Sequence, residues 1–186
     1  IANDCSPDKT DEIIRKVIDN HPKSSFIKYI KHVKNSGMMP NFIFAIQECK
    51  GKYIALCEGD DYWTDPLKLQ KQVNFLESNS DYVLCFHKVD ILQDGNIKAD
   101  SITAKVPETT TIYDLAKGNY MHTCSVVYRN NLFPELPEYF KDSPVGDYFL
   151  HLLNARYGAI KYLDEIMGVY RLHGTSVWSS KTQKEQ

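Results

Sequence analysis

The chain has 186 residues, of which 42% are hydrophobic and 25% are charged, a composition that suits one globular domain with a sizeable core. Its formal net charge of -2 supplies no general positive field, so no nucleic acid partner is expected. No run approaches the ~20 apolar residues of a membrane-spanning helix, and no signal peptide is visible.

The five cysteines form neither a CxxC pair nor a tight Cys/His cluster, and four of them lie inside apolar runs. Such spacing is typical of reduced core residues, so we expect a cytoplasmic protein. The basic run of residues 23–34 interleaves lysines with apolar and aromatic residues. It fits either an edge strand with solvated lysines or a peripheral contact with an anionic membrane.

The first half of the chain alternates strand-like and helix-like segments. Residues 1–4 have the pattern of the end of a strand, so we expect the first strand and helix of the sheet to be missing upstream. Thr10 is the predicted N-cap of a helix whose apolar stripe is Ile13, Ile14, Val17 and Ile18. A second helix, predicted to end near Gly51, carries Phe42, Ala45, Ile46 and Cys49.

An acidic turn, residues 58–61, follows the apolar and strand-like residues 53–57. The carboxylates of Glu58, Asp60 and Asp61 repel one another unless a cation or a donor-rich ligand compensates them. This pattern favours a divalent metal that binds together with a phosphate. The alternative interpretation is an ordinary solvated turn between a strand and a helix.

A helix is predicted directly after the acidic turn. Asp65 is suited to its N-cap and Pro66 to its first turn. Helical spacing then predicts a buried stripe of Leu69, Val73 and Leu76.

The second half of the chain predicts a mixed set of elements. Helices are expected over residues 112–117 and over residues 147–157, the latter ending at Gly158. An irregular stretch is expected over residues 96–111. The predicted strands are residues 82–86, 89–92 and 123–128, with the Asp94-Gly95 turn after the second.

Four segments resemble, in order, the motifs of family 2 glycosyltransferases, which have the GT-A fold. The first is Asn3-Asp4-Cys5-Ser6-Pro7-Asp8-Lys9-Thr10, which resembles the family's D-D-G-S-x-D-x-T turn. The others are Asn35-Ser36-Gly37 with Asn41, Gly51-Lys52-Tyr53-Ile54 with the acidic turn, and Gly146-Asp147 with Tyr170-Arg171-Leu172-His173-Gly174-Thr175-Ser176.

The resemblance implies an α/β fold of the GT-A type. This is a Rossmann-like three-layer α/β/α sandwich with a mixed, mainly parallel central sheet. It implies a single domain over residues 1–178, followed by a polar tail of residues 179–186. Two features depart from the family pattern: Glu58 stands where Asp is usual, and the first strand with its nucleotide-facing loop is absent.

The resemblance also implies an inverting transfer of a sugar from a nucleoside diphosphate donor, most often a UDP-sugar, to a hydroxyl of a glycan or a lipid-linked acceptor. It assigns the catalytic base to Asp147. The ligands of Mn²⁺ or Mg²⁺ would be Asp61, Asp60 and His173. The donor-binding residues would be Asp4, Asn35, Asn41, Glu58, Asp60 and Arg171.

Each of these roles has a structural alternative. Asp4 is also a good turn residue or N-cap, Asp147 is also a good helix N-cap, and a lone histidine such as His173 is often a surface residue. Ser176 and Trp178 are candidates for a loop that closes over the donor.

Two other functions remain open from the sequence. One is a non-catalytic nucleotide- or carbohydrate-binding module of the same fold, which the absent first strand and Glu58 favour. The other is a metal-dependent phosphate-ester hydrolase, although no second acidic cluster suggests a two-metal site.

Overall fold

The computed structural model describes residues 1–174, so the predicted tail, residues 179–186, lies outside the described residues. The helices are α1 Thr10–Asn20, α2 Met38–Gln47, α3 Lys68–Ser78, α4 Ile112–Leu115 and α5 Gly146–Ala155. The strands are β1 Ala2–Asn3, β2 Ile30–Lys31, β3 Tyr53–Ala55, β4 Tyr62–Trp63, β5 Tyr82–Gln93, β6 Asn96–Ala99, β7 Thr109–Thr110, β8 Val127–Arg129 and β9 Ala159–Leu172.

The chain divides into two compact units. One comprises Ile1–Lys50 and Glu135–Gly146, and the other comprises Gly51–Pro134 and the residues from Asp147 onward. The expectation of a single domain over residues 1–178 stays a prediction.

The first unit contains a short two-stranded sheet in which β1 and β2 run parallel. The strand predicted at residues 1–4 is therefore confirmed. Helix α1 begins at Thr10, but its N-cap is Lys9, so the assignment of Thr10 as N-cap is wrong by one residue. The reason is that the Asp8 carboxylate accepts the Thr10 N–H at 2.9 Å, which draws Thr10 into the first turn.

The second unit contains a seven-stranded mixed sheet. Its central order is β3-β8-β5-β9-β4, with β6 paired to β5 and β7 paired to β9. The pair β5 and β9 is parallel, and the other pairs are antiparallel. The Asp94-Gly95 turn joins β5 to β6 with both residues at positive φ, as the sequence predicts for a tight hairpin.

Strand β9 has no counterpart among the predicted elements. It runs for 14 residues beside β5, with register shifts near His87 and Lys88. Asp164 and Glu165 interrupt its apolar pattern, which hides it from a periodicity reading. The C-terminal end of β9 places the segment that begins at Tyr170 beside the acidic turn.

The strand predicted over residues 123–128 is corrected to a 3-10 turn, Thr123–Ser125, followed by β8. Hydrogen bonds from side chains to the carbonyl oxygens hold this turn in place. The Trp63 indole donates to Cys124 O at 2.8 Å, and the Gln72 amide donates to Ser125 O at 2.8 Å. The turn is therefore anchored to both β4 and α3.

Helix α3 begins at Lys68, later than the predicted start at Pro66. The Asp65 carboxylate accepts the Leu67 N–H at 2.7 Å, which forms a turn ahead of the helix. The predicted buried stripe is also shifted, since Leu69 is 42% exposed. The fully buried side chains are instead Lys68, Gln72 and Leu76, spaced four residues apart.

Lys68 is an unusual core residue because its ammonium group is buried and donates no hydrogen bond to any of residues 1–174. The ammonium lies 4.1 Å from the centroid of the Trp63 ring, a cation-π contact. Burial lowers the pKa of Lys68 to about 8. The charged form therefore destabilises the native state near neutral pH.

We expect the variant Lys68→Met to gain stability relative to the wild type near pH 7 and to lose that advantage as the pH rises. Between about pH 8 and the ordinary lysine pKa of 10.5, the unfolded wild type keeps a proton that native Lys68 has released. The wild-type free energy of unfolding therefore rises with pH relative to the variant, by about 3 kcal/mol in total. Urea denaturation at a series of pH values measures the difference.

The matched control for this experiment is Lys98→Met, because Lys98 is exposed on β6. Its difference from the wild type should stay flat across the same pH range. A flat difference for Lys68→Met as well would show that the buried ammonium carries no such penalty.

Candidate active site

The acidic turn follows β3 and is held at the end of β9. Asp61 is buried, with an exposed fraction of 9%, and its Oδ1 accepts the backbone N–H of Arg171 at 2.8 Å. Its Oδ2 is buried and makes no hydrogen bond with residues 1–174. One oxygen of this carboxylate is thus fixed by the sheet, while the other is left for a ligand.

Asp60 makes the second connection to the same segment. Its backbone oxygen accepts the Nε–H of Arg171 at 2.8 Å, and its Oδ2 lies 2.9 Å from Nε2 of His173. The guanidinium carbon of Arg171 is 6.0 Å from the centroid of the Tyr62 ring. The structure therefore brings Asp60, Asp61, Arg171 and His173 together from positions about 110 residues apart in sequence.

Burial and neighbouring negative charges both raise the pKa values of the acidic groups in this site. Burial raises the pKa of the Asp61 carboxyl above its ordinary value, against the opposing hydrogen bond from Arg171. Loss of hydration and the charges of Asp61 and Asp147 raise the pKa of Glu58 above its ordinary value, an effect that solvent screens because this side chain is exposed. Burial and the same carboxylates raise the pKa of Tyr170 to about 12. The site concentrates negative charge that a cation would relieve.

The donor set of the acidic turn fits a hard divalent cation, because carboxylate oxygens are its preferred ligands and Asp61 Oδ2 is a buried acceptor without a donor. Within residues 1–174, no group of three or more His, Cys, Asp or Glu side chains is arranged as a metal centre. The Asp60 carboxylate is engaged by His173 instead. The metal roles of Asp60, Asp61 and His173 stay predictions.

Asp147 lies in the first turn of α5, where the helix dipole favours a carboxylate. Its Oδ2 accepts the hydroxyl of Thr123 at 2.5 Å. Asp147 is the second residue of this helix, which begins at Gly146. Its role as catalytic base stays a prediction. His151, one turn further along α5, is fully buried, and burial lowers its pKa to about 4.

The remaining predicted donor-binding residues, Asp4, Asn35 and Asn41, lie in the first unit and make hydrogen bonds within it. Asp4 accepts the Ser36 N–H at 2.7 Å, the Ser36 hydroxyl at 2.8 Å and the Gly37 N–H at 2.9 Å. The bond from the Ser36 backbone is the largest influence that lowers the pKa of Asp4. Asn35 donates to Asp4 O at 3.0 Å, and Asn41 Oδ1 lies 3.1 Å from the His32 ring nitrogen. Their roles in donor binding stay predictions.

Two polar groups have no individual role predicted from the sequence. Thr123 lies within residues 120–124, where the family resemblance expects acceptor-side residues, but a threonine in an apolar run is typical of a core strand, which is the favoured interpretation of that segment. Asp100 is buried and accepts the N–H groups of Ile102 and Thr103 at 2.8 and 3.1 Å. Its Oδ1 also lies 3.3 Å from Nε2 of His122. The spacing Asp-x-x-Thr was the available hint of a side-chain turn.

Two of the four lysines in the basic run, residues 23–34, are in ion pairs. Lys28 is paired with Glu48, and Lys31 is paired with Asp11 at 3.1 Å. Phe26 and Val33 are 85% and 100% exposed. The peripheral membrane contact and the cytoplasmic location stay predictions, and none of the helices in residues 1–174 is long and apolar enough to cross a bilayer.

Ser176 and Trp178, the candidates for a closing loop, lie outside the described residues.

The mixed α/β fold is that of a GT-A glycosyltransferase. TarS (residues 1–349) from S. aureus superimposes with a TM-score of 0.64 at 18% identity, covering 91% of this chain and 50% of that one. The mannosyltransferase PcManGT from Pyrobaculum calidifontis, solved with GDP-Man and Mn²⁺, gives 0.66 at 11% identity, covering 95% and 48%. The expected α/β fold of the GT-A type with a mixed central sheet is confirmed, but among the described residues the seven-stranded sheet has a single parallel pair, β5 with β9, and is not mainly parallel.

Residues 1–136 match the model of Glycosyl transferase family 2, and the chain belongs to that family. The uncharacterized protein Rv1520 of Mycobacterium tuberculosis is 37% identical over 185 residues, which cover 97% of this chain and 51% of the relative. The uncharacterized glycosyltransferase alr2836 of Nostoc sp. is 30% identical over 188 residues, covering 95% and 56%. The chain thus spans about half the length of these curated relatives.

We expect Asp61→Asn to stabilise the protein while weakening a cation site. Asparagine keeps an acceptor for the Arg171 N–H but removes a buried charge, so the melting temperature without metal should rise by about 2–4 °C. Mn²⁺ affinity in the presence of UDP, measured by calorimetry, should fall at least tenfold.

Asp94→Asn is the matched control, because Asp94 lies in the hairpin turn at positive φ, where asparagine is equally at ease. It should change neither quantity. Unchanged Mn²⁺ affinity in Asp61→Asn would remove Asp61 from the metal site.

Proposed function

We propose that this glycosyltransferase domain is an inverting, divalent-metal-dependent hexosyltransferase. The donor would be a nucleoside diphosphate sugar, in the first place a UDP-sugar, and the acceptor a hydroxyl of a glycan or a lipid-linked glycan. The observation that carries the proposal is the hydrogen bonding of the Asp147 carboxylate. Its Oδ2 accepts the Thr123 hydroxyl, while its Oδ1 accepts no hydrogen bond from residues 1–174. An oriented carboxylate with one open oxygen is what a general base needs.

The leaving-group side of the reaction is assigned to the acidic turn and the end of β9. Asp61 and Asp60 would hold Mn²⁺ or Mg²⁺, which when bound supplies positive charge against the departing diphosphate. Arg171 uses its Nε–H on Asp60 O, so its terminal N–H groups are available to phosphate oxygens. His173, once displaced from Asp60 by a ligand, is within reach as a further ligand or donor.

The base side of the reaction is assigned to Asp147. The open carboxylate oxygen of Asp147 takes the proton of the acceptor hydroxyl while the acceptor oxygen attacks the anomeric carbon. The new glycosidic bond forms on the face opposite the diphosphate, and the electron pair of the breaking bond leaves with the diphosphate. A single displacement of this kind inverts the anomeric configuration.

The identity of the nucleotide is the least constrained part of the proposal. The resemblance points to uridine for Asp4, Asn35 and Asn41, whereas the structural neighbour PcManGT was solved with GDP-Man. Guanosine therefore belongs in any test of the donor. We expect Glu58 to serve as an outer partner of the site, because its longer side chain changes hydrogen bonding more than charge.

We expect Asp147→Asn to separate catalysis from binding. Asparagine keeps an acceptor for the Thr123 hydroxyl but cannot take a proton, so transfer should fall by about 10²–10⁴-fold. The nucleotide affinity should stay within about twofold. The assay offers UDP- and GDP-sugars to p-nitrophenyl glycosides with Mn²⁺, and proton NMR of the product reports the anomeric configuration.

Asp142→Asn, at an exposed position five residues earlier, is the control and should transfer like the wild type. Nucleotide binding without transfer in the wild type would favour the non-catalytic binding module. Donor cleavage that no acceptor accelerates would favour a phosphate-ester hydrolase. A product with retained configuration would contradict the single displacement.

A further inference from the structure

Thr123 is the described residue that hydrogen-bonds the carboxylate of Asp147. Its hydroxyl donates to Asp147 Oδ2 at 2.5 Å, and its exposed fraction is 7%. The neighbouring titratable group on the same helix, His151, has both ring nitrogens buried without a hydrogen-bond partner among residues 1–174. His151 therefore packs beneath Asp147 without orienting its carboxylate.

The backbone that carries Thr123 is fixed from several directions. Trp63 donates to Cys124 O, and Gln72 donates to Ser125 O, each at 2.8 Å. The Ser125 hydroxyl closes the turn by donating to His122 O at 2.6 Å. A donor on such an anchored turn can hold a partner side chain in one rotamer, because the donor itself has little freedom to follow.

A threonine hydroxyl has a single proton to donate. In the structure the Thr123 proton is given to Asp147, so the hydroxyl is committed to the carboxylate assigned to proton abstraction.

We propose that Thr123 is a positioning residue: it holds Oδ2 of Asp147 so that Oδ1 alone is left to take the proton of the acceptor hydroxyl. The role rests on the proposed function of Asp147 as base. Thr123 does not touch the reacting atoms. It acts by limiting the orientations of the base through a charge-assisted hydrogen bond.

The test compares Thr123→Val, which keeps the shape but removes the hydroxyl, with Thr123→Ser, which restores the hydroxyl. We expect kcat of Thr123→Val to fall about 10–100-fold with the KM of the donor within about twofold. Thr123→Ser should recover at least a third of the wild-type kcat.

Thr110→Val is the matched control, because Thr110 is also buried and its hydroxyl lies 2.6 Å from the neutral Tyr120 hydroxyl. It should lower the melting temperature as much as Thr123→Val does, while leaving kcat unchanged. This separates the loss of a buried hydrogen bond from the loss of a positioned base.

The outcomes of the two tests are distinguishable. If Asp147→Asn abolishes transfer and Thr123→Val leaves kcat unchanged, the proposed function stands and the role of Thr123 is overturned. If Asp147→Asn transfers like the wild type, or the wild type transfers nothing, both are overturned. A Thr123→Val defect in KM or stability alone, with kcat unchanged, would reduce Thr123 to a structural residue.

Discussion

The hydrogen bond from the Arg171 backbone to Asp61 Oδ1 is the constraint on which the site depends. A backbone N–H in a paired strand is held in place by the sheet. It therefore fixes the position and the side-chain rotamer of a carboxylate that lies on a surface turn. The same segment of β9 supplies the Arg171 side chain to Asp60 O and His173 to the Asp60 carboxylate. The parallel pairing of β5 and β9 places this segment, and thereby decides where the acidic turn lies.

Local chemistry made part of the fold and the site predictable. Hydrophobic periodicity and turn residues are patterns among residues close together in sequence. They predict the strand before the acidic turn, the Asp94-Gly95 hairpin and α5. The acidic turn itself could be recognised because clustered carboxylates are costly without a partner. The family resemblance then supplied roles that no periodicity contains, such as that of Asp147.

The unpredicted features depend on contacts between residues distant in sequence. Strand β9 carries Asp164 and Glu165 inside its length and is stabilised by pairing with β5 rather than by its own pattern. The buried face of α3 is set by what covers it, so Lys68 is inside over Trp63 while Leu69 faces solvent. Thr123 could not be found from the sequence, because its partner Asp147 lies 24 residues away.

Four carboxylates of the molecule differ in how many of their oxygens are occupied. Asp4 and Asp100 use both oxygens on backbone and side-chain donors, which is the arrangement that stabilises a loop. Asp147 has one oxygen held by Thr123, and Asp61 has one held by the Arg171 N–H, while the other oxygen of Asp61 is buried and makes no hydrogen bond within residues 1–174. A half-occupied buried carboxylate costs stability, since an unpaired acceptor in the interior loses its hydration. That cost is sustained where a ligand completes the group, so the buried open oxygen of Asp61 supports a binding role independently of any motif.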